Sequence, residues 1–508
     1  MAVIQVVVFL LLCSVVLGWL SRRAGVPYPI ALVVGGAVLS FVPGLPQINI
    51  DPQFLLVLVL PPILYQAALL TSWRDFKVNL RPILLLAIGL VIVTTLVVGA
   101  TLKFLIPDIP WAVAFAFGAI VSPPDAVAAT AILSKLNMPR RIVTVLEGES
   151  LVNDASGLVL YKFAVAAVLS GVFSLFDATV QFVLVAIGGI AVGMLLAGVF
   201  VALHRFLGDP FIEVLLSLAV PYLAYVAAEA LHVSGVLAVV AAGLLRGRYS
   251  PEIVSAEMRI LARSMWNILV FMLNSLVFIL IGLQLSGVID RLEGYSGWDL
   301  AAYALAISMI AILVRFAWVY IAEYLVTRPE PGEAFVISWC GMRGIVSLAA
   351  ALALPIELAD GAPFPHRDLI VFLTFTVITV TLVVQGLTLA PLISRLKLSA
   401  DLGVREEHRG ARLAMGRAAL AALDALVAEE KVPQELAERI RAEFGDRMTA
   451  ASPLAAQPDS TIAFARRLRL AAVRAERAEL IRVWRAGEIS DDVLHHIEEE
   501  LDYEESRL

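Results

Sequence analysis

The chain has 508 residues, 60% of them apolar and only 16% charged, with a net charge of −6 and a mean hydropathy of +0.88. Soluble globular chains run at about 45–50% apolar and about 25% charged. The composition therefore excludes a soluble enzyme, a disordered protein and a nucleic-acid binder, which would carry a basic footprint. The two cysteines, Cys13 and Cys340, lie in apolar runs and support neither a disulfide framework nor a metal site. Residues 1–394 hold 20 Lys and Arg, whereas residues 395–508 hold 18, with 22 Asp and Glu, in under a third of the length. That shift predicts a membrane domain over 1–394 and a soluble tail over 395–508.

A helix needs about 20 apolar residues to cross a bilayer. Thirteen runs qualify: 2–20, 28–43, 53–71, 82–105, 111–133, 140–169, 177–204, 211–231, 234–246, 260–285, 299–326, 333–355 and 367–394, the second and ninth being short. Membrane barrel strands are about 10 residues long and alternate in hydropathy, so the expectation is an all-α polytopic membrane protein with thirteen spans. The first run lacks a basic leader and is followed by Arg22 and Arg23, the pattern of a retained span with its N-terminus outside. On that count the inward loops carry sixteen Lys and Arg and the outward loops two, Arg291 and Arg367. Lys103 and Lys162 fall near outer helix ends, where long side chains snorkel to the headgroups. The positive-inside bias puts the tail in the cytoplasm.

The tail reads as helices over 405–431, from Pro433 to Met448 and over 461–485, with a Pro-containing linker at 451–459. A last helix is capped by Ser490 with Asp491 and Asp492. His495 and His496 are adjacent and face different sides of a helix. No catalytic constellation is visible, so an enzyme is not expected.

Ionisable residues inside spans are costly and mark function. The sixth run carries the densest set, Glu147, Glu149, Ser150, Asn153 and Asp154. Ser150 and Asp154 share one helical face, and Glu149 and Asn153 another nearby, which would gather carboxylates and neutral oxygens around one dehydrated cation. The fifth run is interrupted by Ser122-Pro123-Pro124-Asp125; two prolines remove two N–H donors and break the helix. Broken backbone at that depth must face protein or a watery cavity. The twelfth run has a matching weak point at Gly341-Met342-Arg343-Gly344. Runs 5 and 12 are each the fifth of a six-span group, as in inverted repeats whose interrupted helices hold a transported ion. Arg315 lies in the middle of the eleventh run and needs an acid, Glu149 first and Glu147 second. Glu213 and Glu229 also fall inside or near spans, and no role for them follows from the sequence. Glu323 reads as interfacial.

Gly148-Glu149-Ser150-Leu151-Val152-Asn153-Asp154, Ser122-Pro123-Pro124-Asp125-Ala126-Val127-Ala128, Gly341-Met342-Arg343-Gly344 and Leu60-Pro61-Pro62-Ile63-Leu64-Tyr65 resemble the sodium/proton exchangers of the first monovalent cation:proton antiporter family (NhaP/NHE type). The resemblance runs in order through residues 1–394. It implies that Asp154 binds the cation or a proton, and that Asp125, Ser150 and carbonyls of the broken fifth span complete a sodium site. It implies that Asn153 goes with exchange of one ion for one proton, and that Glu149 pairs with Arg315. It also implies a core of spans 4–6 and 11–13, in which spans 5 and 12 cross, beside a dimer scaffold. Two departures stand out. Many members carry Glu at the position of Gln66, and many have Asp-Pro in the fifth span, where here the prolines precede Asp125.

The resulting expectation is a homodimeric antiporter of the inner membrane that exchanges sodium or lithium for protons. Its exchange would be electroneutral, by competition at Asp154 and elevator-like alternating access, with no cofactor and no nucleic-acid partner. A potassium/proton antiporter and a sodium-coupled anion symporter are the alternatives.

Overall fold

The computed structural model of the chain describes residues 2–43, 55–133, 136, 138–171, 175–204, 206–289, 291–292, 295–326, 331–358, 361–396, 402–429, 433–450, 460–486, 494, 497–498, 500–503 and 505. Among these residues the regular structure is helical, apart from an isolated bridge between Glu357 and Pro363. The chain divides into two compact units, Met1–Ala400 and Asp401–Leu508.

In the first unit every apolar run of the sequence carries helix. Eight helices among the described residues are long and apolar enough to cross a membrane, including Leu80–Leu105, Trp111–Leu133, Arg140–Ser170 and Arg367–Leu396. The protein is an all-helical polytopic membrane protein. The ninth run is longer than its apolar stretch: its helix runs Gly235–Ile253, started by the Ser234 hydroxyl, which accepts from the Leu237 N–H. Backbone hydrogen bonding continues through Arg246 and Arg248 because a helix does not require apolar side chains, only a bilayer span does. The twelfth run stops early, its second piece ending at Leu352. There the Arg367 guanidinium donates to the Leu352 and Leu354 carbonyls at 3.0 and 3.1 Å, satisfying acceptors that a helix end leaves open.

Three helices change pitch. Leu55–Val59, Leu85–Leu90 and Thr381–Gln385 are π-helical turns. The first precedes Pro61-Pro62, whose missing N–H groups leave the Val57 and Leu58 carbonyls without an α-helical partner. Among the described residues of the first unit, buried apolar side chains form three large clusters and a small one of Val214, Val254 and Met258. One joins Ile337 and Leu348, from either side of the twelfth-run interruption, to Val145 and Leu146 of the sixth-run helix and to Val277 of the tenth.

In the second unit, Leu402–Glu429 packs against Gln434–Ala450, with Arg441 and Asp424 2.7 Å apart. Val473 and Leu480 of the helix Ser460–Arg485 pack on Leu494 and Leu501, and Arg477 meets Asp502 at 2.6 Å. The linker 451–459, the cap at Ser490, His495 and His496 lie outside the described residues.

Candidate functional site

The fifth run is two helices, Trp111–Val121 and Ala126–Leu133, separated by Ser122-Pro123-Pro124-Asp125. The Asp125 carboxylate restarts the helix: Oδ1 accepts from the Val127 N–H at 2.8 Å, the usual role of an acid at a helix start. The twelfth run is likewise two helices, Pro331–Trp339 and Ile345–Leu352, with Gly341–Gly344 unwound between them. The two interruptions meet. The Asp125 N–H donates to the Met342 carbonyl at 2.7 Å. The approach is so close that a Cβ on Gly344 would lie 1.8 Å from Asp125 Oδ2, so only glycine fits. The Arg343 N–H is satisfied by Thr381 Oγ1 at 3.1 Å.

The unbroken helix Arg140–Ser170 supplies partners to the broken one. Ser150 Oγ accepts from the Ala126 N–H at 3.3 Å. Asn153 Nδ2 donates to the Pro124 carbonyl at 2.9 Å. Both are backbone groups that the break leaves without helical partners.

A cavity of about 570 Å³ opens beside this junction. Asp125, Ser150 and Asp154 line it together. Asp154 is 6% exposed. Asp125 Oδ2 is buried with no hydrogen-bond partner in the described structure, an acceptor whose desolvation a cation or proton would offset. Two carboxylates and a hydroxyl are oxygen donors of the kind a hard cation prefers. Ser122, Pro123 and Pro124 form the break, and Pro123 also reaches the cavity wall.

Glu149 stands apart from that group. Its Oε1 and Oε2 accept from Arg315 Nη1 and Nη2 at 2.5 and 2.8 Å, and Arg315 Nε donates to the Ile337 carbonyl at 3.0 Å. Both side chains are 1% exposed. Glu149 is the acid that the sequence reading names first for Arg315, and both of its oxygens are committed to the guanidinium; although it lies on a helical face next to Ser150 and Asp154, it is not among the residues lining the cavity. Glu147, the second acid considered for Arg315, lines the cavity instead. Gly341 leaves room for the pair, since a Cβ there would sit 2.4 Å from Arg315 Cδ.

Residues 7–395 match the family described as sodium/hydrogen exchanger, transmembrane. The chain belongs to that sodium/hydrogen exchanger family. The matched segment contains every residue of the site and ends where the tail begins. Among its relatives is a sodium, potassium, lithium and rubidium/H+ antiporter of Bacillus pumilus, 38% identical over 76% of this chain and 61% of the relative. This chain therefore spans about three-fifths of that relative's length. An uncharacterized Na+/H+ exchanger of Escherichia coli is 33% identical over 95% of this chain and 94% of its own. The structure of the sodium proton antiporter MjNhaP1 from Methanocaldococcus jannaschii aligns with a TM-score of 0.64 at 19% identity, over 78% of this chain and 99% of that one. At that identity the likeness is one of fold.

In this family member, residues that the sequence reading passed over also line the cavity. Tyr28, Asn267 and Asn274 line the cavity with Gln66, and Gln66 Nε2 donates to Asn267 Oδ1 at 3.1 Å. Asn267 and Asn274 are seven residues apart, hence on one helical face; two amides in an apolar run were the available signal. Glu213 and Glu229 belong elsewhere. Glu213 lies 3.0 Å from His204, and Glu229 3.3 Å from Lys162. The Glu323 side chain is outside the described residues.

Proposed function

We propose that this protein is a secondary active antiporter that exchanges sodium or lithium for protons by competition at Asp154. The observation that carries this reading is the shared cavity: Asp154, Asp125 and Ser150 line it where the two interrupted helices meet. Asp154 holds either a proton or the cation. Asp125 Oδ2, Ser150 Oγ and carbonyls of the break complete the cation's shell, replacing its water. A bare buried carboxylate is too costly to carry across an apolar barrier, so only the loaded site moves, and that rule couples the two ions. Asn153 pins the break beside Asp154 and adds no charge, which favours exchange of one cation for one proton. Glu149 and Arg315 do not touch the ion; they tie the sixth-run helix to the eleventh and to the Ile337 carbonyl beside the second break.

The same reading places thirteen spans in the inner membrane, six and six related by inversion around a linking span. Spans 5 and 12 cross in a core that moves elevator-fashion against a dimer scaffold. The N-terminus is outside, the membrane domain is 1–394, and the cytoplasmic tail is 395–508. The loop charges and the paired interruptions support it.

A potassium/proton antiporter is the second reading, favoured by the relatives in Bacillus pumilus and Bacillus subtilis whose names include potassium and rubidium. The test is the purified protein in liposomes with an imposed pH gradient and a pH dye inside. Collapse of the gradient by sodium or lithium, unaffected by clamping the potential, is the expected result. Collapse by potassium alone selects the second reading. A folded sample that responds to no alkali cation overturns both.

A further inference from the structure

A second cavity, of about 350 Å³, adjoins the first, with Gln66, Leu70 and Asn267 lining both. Its wall carries three guanidinium groups, Arg246 from the helix Gly235–Ile253 and Arg259 and Arg263 from the helix Ala256–Leu283. Among the described residues no Asp or Glu lines it. Arg246 is 5% exposed, and its Nη1 donates to the Tyr65 hydroxyl at 3.2 Å. Arg259 Nη2 donates to the Val254 carbonyl at 2.9 Å. Both of these hydrogen-bond partners are neutral acceptors, and the acid whose field reaches Arg246, Glu213, lies 3.0 Å from His204. Arg259, Arg263 and Asn267 follow one another at four-residue spacing, which sets them along one helical face. Ser217 and Ser250 add hydroxyls to the wall.

Arg246 is buried while Arg259 and Arg263 are exposed, and three like charges around one cavity repel one another. An anion of more than one charge relieves that repulsion. The planar guanidinium fork matches the oxygens of a phosphate group in bidentate fashion. The cavity is also larger than a monatomic ion needs, and its Leu69, Leu70 and Met258 walls suit the carbon skeleton of an ester.

We propose that this cavity binds a phosphate ester through Arg246, Arg259 and Arg263, as a site separate from the cation cavity beyond the Gln66–Asn267 hydrogen bond. Its occupant is a phospholipid headgroup or a soluble phosphate compound, since both offer the same oxygens. The proposal stands on the cavity's own charge and geometry, and its test reads binding, not ion exchange, so its failure is distinguishable from failure of the antiporter reading.

The full chain in neutral detergent is titrated in separate arms with phosphatidylglycerol, with inorganic phosphate and glycerol phosphate, and with phosphatidylcholine as control. The readout is the thermal unfolding midpoint. The expected result is a concentration-dependent rise with phosphatidylglycerol or with the soluble phosphates, and none with phosphatidylcholine. A rise with the lipid alone names the headgroup as occupant; a rise with both, in competition, names soluble phosphate. Losing one charge-assisted bond weakens binding about tenfold, so the Arg259→Gln, Arg263→Gln double variant should bind at least about a hundredfold more weakly, as two such bonds combine. Arg259→Lys with Arg263→Lys, which keeps charge and loses the fork, guards against misfolding and should fall between. No rise in any anionic arm, or an undiminished rise in both double variants, overturns the proposal.

Discussion

The Asp125 N–H donates to the Met342 carbonyl at 2.7 Å. This bond ties the interruption of one helix to the interruption of another more than 200 residues away, and it holds the Asp125 carboxylate against Gly344. Gly344→Ala places a methyl where Asp125 Oδ2 now sits. The short Asp side chain cannot retreat without breaking its bond to the Val127 N–H. Overpacking of this kind costs about 1–3 kcal/mol. A lowered unfolding midpoint and loss of most cation/proton exchange in liposomes are expected. Unchanged values for both would show that the junction is not tight.

Asp154→Asn keeps the shape of the side chain and removes its charge and its proton. Exchange of every alkali cation should vanish, while the unfolding midpoint in detergent stays within a few degrees, about the scatter of an isosteric swap. Near-normal exchange by this variant would remove Asp154 from the proposed site.

Glu149→Ala leaves Arg315 buried and unpaired, and breaking a buried ion pair by removing one partner costs about 3–5 kcal/mol. The double variant Glu149→Ala, Arg315→Leu removes the orphaned charge and should be more stable than Glu149→Ala alone. Thermal unfolding of the two in one detergent decides the matter. Equal midpoints would mean that the pair does not hold the core.

Asn153→Asp removes the donor to the Pro124 carbonyl and sets a carboxylate against it. An unsatisfied buried acceptor costs about 1–3 kcal/mol. A protonated Asp can donate to that carbonyl again and an ionised one cannot. The loss of stability relative to the native chain should therefore shrink as pH falls, and a loss independent of pH would contradict this account.

Much of the molecule was legible along the chain because the causes are local. Apolar length marks helices that can cross a bilayer, and each of the thirteen runs carries helix. The double proline at 123–124 and the glycines at 341 and 344 mark breaks, because a missing N–H and a missing Cβ act on their own turn. The structure pairs Arg315 with Glu149, the first of the two acids that charge balance in an apolar run nominates. The tertiary structure alone decided which polar groups share a wall. Gln66 meets Asn267 across 201 residues, Glu147 lines the cavity while Glu149 turns to Arg315, and Arg246 joins Arg259 and Arg263 around a second cavity. Helical periodicity says which side chains share a face. It does not say which other face packs against them, because close packing between helices depends on the shape of both partners at once.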